Sequence, residues 1–79
     1  MTPTEYQGRR VRVPPELLKL EPFIRGYLTD VQKRDGPDAT IIYAEFVSDQ
    51  LSYIVNIDNV PKLHRFKEKD CPLIEGTKP

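Results

Sequence analysis

Two apolar runs, "ATIIYAEFV" at residues 39–47 and "LSYIVNI" at residues 51–57, flank Ser48-Asp49-Gln50. Runs this short, rich in Ile, Val, Tyr and Phe and joined by three polar residues, fit two antiparallel strands of one tight hairpin. A turn centred between Asp49 and Gln50 sets Phe46 opposite Tyr53, Ala44 opposite Val55 and Ile42 opposite Ile57, with all six apolar side chains on one side. The other side then carries Ile41, Tyr43, Glu45, Val47, Ser52, Ile54 and Asn56, more apolar than a solvated face needs. Either it packs beneath residues 14–22 or the tail, or it is a docking surface. The docking expectation names Ile41, Tyr43, Val47 and Ile54 as the protein-binding residues.

Elsewhere the chain is punctuated by its eight prolines, so helix cannot dominate. In "GRRVRVPP", residues 8–15, Val11 and Val13 share one side and Arg10 and Arg12 the other, the two-residue period of a half-buried strand that stops at Pro14-Pro15. Residues 14–22 read as a loop with a helical turn near Glu16–Leu20. Leu17, Leu20, Ile24, Leu28 and Val31 lie at helical spacing, but Pro22 and Gly26 oppose a continuous helix, and residues 23–32 are expected to be a strand. "RDGPD", residues 34–38, marks a turn. Val60 and Leu63 suit a single 3₁₀ turn that closes a core before a short strand at His64–Phe66.

This order, with "GRRVRV", "RGYL" and "NVPKL" at its joints, resembles the SH3-like small barrel, in which five short strands enclose one core. The resemblance implies a mainly β, five-stranded barrel with a one-turn 3₁₀ helix, and strand-helix-strand-strand (α+β) is the alternative. Residues 8–66 would form the single domain, with residues 1–7 and 67–79 as flexible termini. Such barrels serve as adaptor modules, nucleic-acid binders and accessory subunits, so fold alone does not choose among them.

Charge narrows the choice. Twelve basic and twelve acidic residues cancel, whereas non-specific nucleic-acid binders carry a basic excess. A local patch of Arg10, Arg12, Arg25, Lys33 and Arg34 keeps nucleic-acid binding as the alternative; charges on an edge strand also serve simply to deter sheet-to-sheet pairing. Cys71 is the sole cysteine, which excludes an intramolecular disulfide and favours a cytoplasmic setting. No apolar run reaches membrane-spanning length. His64, the only histidine, stands among basic neighbours and is expected to be exposed, and no glycine-rich phosphate loop or metal-ligand spacing occurs. The expectation is a non-enzymatic interaction module or accessory subunit without cofactor, metal or small-molecule substrate, its partner another protein or a second copy of itself.

Overall fold

The structure, a computed structural model, describes residues 3–74. Strands β1 (Arg10–Arg12), β2 (Asp38–Val47), β3 (Gln50–Ile57) and β4 (His64–Lys67) form one antiparallel sheet in the order β1-β2-β3-β4. Between β1 and β2 the chain makes three short helices, α1 (Pro15–Leu18), α2 (Pro22–Arg25) and α3 (Asp30–Asp35), and 3₁₀ turns occupy Pro3–Tyr6 and Glu68–Asp70. The domain is small and mainly β, as expected, but its sheet is open, without the expected barrel closure.

The strand expected at residues 23–32 does not form: residues 23–25 belong to α2, residues 30–32 to α3, and a short connection joins them. Pro15 and Pro22 each sit at the start of a helix, where a missing N–H is harmless, so proline initiates here what it would break in mid-helix. Thr29 then caps α3: its hydroxyl accepts from the Gln32 N–H, and the Gln32 side chain accepts from the Thr29 N–H in return. Of the residues at helical spacing, Ile24 of α2 and Leu28, between α2 and α3, are buried, Leu17 is half-buried, and Leu20 and Val31 are exposed. α3 ends at Gly36, whose φ of 90° and a collision of any Cβ with the Val13 carbonyl oxygen both require glycine. The 3₁₀ turn expected near Val60 falls later, at Glu68–Asp70; Val60 is buried and Leu63 exposed.

The hairpin forms with a tighter turn than expected. Ser48 and Asp49 both take positive φ, 52° and 66°, the two-residue geometry whose twist matches its strands. Phe46 consequently faces Leu51, and Ala44 faces Tyr53. A displacement by two residues preserves which side each position shows, so most of the side assignment stands. The exception is a bulge between Ile41 and Tyr43. It inserts one residue and reverses the phase behind it, putting Ile41 into the core opposite Val55 and leaving Ile42 exposed.

The core lies on one side of the sheet. Val11, Ile41, Val55 and Ile57 meet Leu18 of α1, Ile24 of α2 and Leu28 there. Packing extends past the expected boundaries of residues 8 and 66. Tyr6 stacks near Tyr53 with ring centroids 5.4 Å apart, and Cys71 is buried in the same cluster. Leu73 bridges to Val11 on the outer edge of β1, where the Pro72 carbonyl accepts from the Arg12 N–H and the Ile74 N–H donates to the Arg10 carbonyl, each at 3.0 Å. Residues 1–2 and 75–79 of the expected termini lie outside the described residues.

Candidate protein-docking surface

The second side of the sheet follows from the register. Tyr43 pairs with Ile54 and Ile54 with Arg65; Glu45 pairs with Ser52 and Ser52 with Lys67. Two rows therefore run across β2, β3 and β4 on the side away from the core: Tyr43–Ile54–Arg65 and Glu45–Ser52–Lys67. Arg65 Nη2 donates to Glu45 Oε1 at 2.6 Å, so this ion pair crosses the central strand between positions 52 and 54. That strap explains why Ser52 and Ile54 are buried although neither belongs to the core cluster.

The four residues expected to bind protein are thus divided. Tyr43 and Val47 project from the outward side at 42% and 41% exposure. Ile54, at 7%, forms the floor beneath them, and Ile41 lies in the core. A shallow depression of about 390 Å³ beside this floor is lined by Val47, Ser48, Gln50, Ser52, Arg65 and Lys67. Phe46 adds apolar surface on the opposite side of the hairpin arm. It faces the core side but overhangs its end, at 60% exposure, and lines a cleft with Tyr6, Leu51 and Glu68. Tyr6 closes that cleft by donating its hydroxyl to Glu68 Oε2 at 3.0 Å.

Three of the four arginines expected to meet nucleic acid meet acids instead. Arg10 makes a bidentate pair with Asp58 at 2.7 and 3.1 Å and also donates to Thr40 Oγ1, and the Asp58 hydrogen bond raises its pKa. Arg12 pairs with Asp38 at 3.2 Å. Arg34 pairs with Asp35 at 3.0 Å, which raises the arginine pKa and holds the carboxyl below its ordinary value. Arg25 and Lys33 are exposed and form no ion pair among the described residues. The five basic residues are therefore spread over a strand and two helices, and three of them are already paired with aspartates.

Phe23 and Tyr27, the aromatic residues expected to stack on bases in the nucleic-acid alternative, form a cluster with His64 and Lys62. Phe23 and Tyr27 pack with ring centroids 5.3 Å apart, His64 lies 6.1 Å from Phe23, and Lys62 Nζ sits 5.5 Å from the Phe23 centroid. The four-residue spacing of Phe23 and Tyr27 carried the signal, but it is legible only once the segment is known to be helical. His64, expected to be exposed, is half-buried, and its Nε2 has no hydrogen-bond partner among the described residues.

Burial governs the thiol and phenol groups. Desolvation pushes the Cys71 thiol up to about 12, the reverse of an activated nucleophile. It also raises Tyr53 and, with the Glu68 hydrogen bond, Tyr6. Among the described residues no group of three or more His, Cys, Asp or Glu is placed to hold a metal ion, and no helix is long and apolar enough to cross a membrane. Comparison with family models, curated proteins and solved structures returns no match.

Proposed function

We propose that this chain is a small protein-interaction module, or an accessory subunit of a larger assembly, that docks through the outward side of the β2–β3 hairpin. The carrying observation is the concentration of exposed large apolar residues in one short stretch: Tyr43 and Val47 are exposed on the outward side, Ile42 is exposed at the bulge, and Phe46 is exposed on the other side of the arm. Solvated strands alternate apolar with polar side chains, and a run exposed on both sides of an arm marks a contact surface. Tyr43 is the anchor, since a tyrosine brings a large rigid area at low entropic cost. Ion pairing of Arg10, Arg12 and Arg34 favours this role over phosphate binding, because a phosphate would have to displace an aspartate at each of those three positions.

The SH3-like resemblance belongs to the same proposal, in an open form. It is supported by the meander β1-β2-β3-β4, the 3₁₀ turn after β4, and the return of residues 72–74 to the outer edge of β1. A photo-crosslinking side chain in place of Tyr43 tests the docking surface. Protein adducts are expected from position 43 and not from Leu20, although Leu20 is more exposed at 81%. Equal adducts from both positions, or none from position 43, would remove the proposal.

A further inference from the structure

We infer that the occupant of this surface is a second copy of the same chain, joined face to face about a two-fold axis that lies over β3 and runs along it. The inference rests on the docking proposal above and adds the identity of the partner.

The two cross-strand rows carry it. β3 is central, with β2 and β4 at one strand spacing on either side. A two-fold rotation about an axis along β3 exchanges the β2 side of one copy with the β4 side of the other and keeps each row at its own level. Tyr43 then lies over Arg65 of the second copy, Glu45 over Lys67 of the second copy, Ile54 over Ile54 and Ser52 over Ser52. The β2 side offers an aromatic ring and a carboxylate, and the β4 side offers a guanidinium and an ammonium. Each meets its complement: a ring against a guanidinium, and Lys67 beside the Glu45 carboxylate that Arg65 of its own chain already holds at 2.6 Å, with Ile54 and Ser52 buried beneath that pair at the axis.

Self-complementarity of this kind is what an isologous interface requires, because one patch must serve as both partners. Other arrangements of the same face lose it. Turned about an axis across the strands, the β2 side meets the β2 side and the β4 side meets the β4 side, so Arg65 and Lys67 gather with like charges. Two sheets packed through their faces lie about 10 Å apart, a gap that side chains the size of Tyr and Arg fill from both sides. The balanced formal charge of the chain, twelve against twelve, adds no long-range repulsion between copies.

The test is the mass of the full chain by sedimentation across a concentration series, with charge reversals. The parent chain is expected to approach dimer mass as concentration rises. Lys67→Glu sets like charges against Glu45 of the second copy and should weaken association at least roughly tenfold, as should Glu45→Lys; combining them restores the pair and the association. Circular dichroism and denaturant midpoints confirm that each variant is folded, and Tyr43→Ala, which leaves every charge in place, provides a second route to the monomer. A chain monomeric at every concentration would overturn the inference, as would a dimer indifferent to all three single substitutions. If that monomeric chain still yields adducts to a different protein from position 43, the docking proposal survives and only the second-copy identity falls. If it yields none, both fall.

Discussion

The two sides of the sheet are made of the same strands and have opposite fates. On one side Val11, Ile41, Val55 and Ile57 are sealed by Leu18, Ile24, Leu28 and Tyr6; on the other, Tyr43 and Val47 project beside the Glu45–Arg65 pair. A strand supplies side chains to both sides in strict alternation, so apolar character on the second side is not a by-product of building the first. Helices cover only one side because the long β1–β2 connection, residues 13–37, contributes its buried side chains to the core cluster. The contrast separates side chains that hold the fold from side chains left for a partner, and each half can be attacked without the other.

The largest effect belongs to the covered side. Ile41→Ala should destabilise the domain by about 3 kcal/mol in urea denaturation, the cost of a cavity at a fully buried position. Tyr43, two residues along the same strand, should change stability by less than about 1 kcal/mol when replaced by alanine, the scale of an exposed strand position. Similar losses at the two positions would erase the distinction between the sides.

Next comes the closure of the covering layer. Gly36→Ala meets both an unfavourable φ and the Val13 carbonyl oxygen, so a loss of about 2 kcal/mol is expected, with the thermal midpoint as readout. A tolerated alanine would mean that the α3–β2 joint is looser than its geometry implies.

A smaller effect follows pH. The folded Cys71 thiol keeps its proton up to about 12 while its ordinary value is 9.0, so above that value the unfolded chain binds fewer protons than the folded one. Stability is therefore retained below about pH 9 and falls as pH rises toward 12, by at most about 1.4 kcal/mol per pH unit from this group. Tyr53 and Tyr6, also raised by burial, act in the same direction from a higher starting value. Cys71→Ala should delay the onset of alkaline loss, and an unchanged profile would show that the thiol is not sealed.

Least is expected of the ion pair on the bare side. Glu45→Gln should alter stability by no more than about 0.5 kcal/mol, because both partners are substantially exposed. Glu45→Lys, the variant of the association experiment, breaks the same pair.

The hairpin is legible in the chain as two short apolar runs about a polar turn, and the first strand by the alternation of Val11 and Val13 with Arg10 and Arg12. Ile41 is misplaced by the sequence pattern because a bulge leaves no mark in it; "TIIYA" is apolar at every position after Thr40, so either phase fits whether or not one residue is extruded. The helical turn expected near Glu16–Leu20 is present as α1, whereas the strand expected at residues 23–32 fails for a different reason. Pro22 was weighed as an interruption of one long helix, when at the first position of a new helix it has no such cost. Tyr6 and Cys71, placed in tails by their distance from the apolar runs, reach the core through contacts that span nearly the whole chain, a separation to which local periodicity is blind. The candidate site was half visible: Tyr43 and Val47 came from alternation, whereas the facing rows that include Arg65 and Lys67 needed the pairing of β3 with β4.

Nuclear magnetic resonance of the labelled chain at increasing protein concentration tests self-association through the bare side of the sheet most directly. Amide shifts are expected to move along residues 43–47, 50–54 and 65–67, the three strand segments that share the bare side, while the signals of Leu18, Ile24 and Val55 stay fixed. Movement centred on Phe23, Tyr27 and Leu63, or spectra that do not change with concentration, would contradict it.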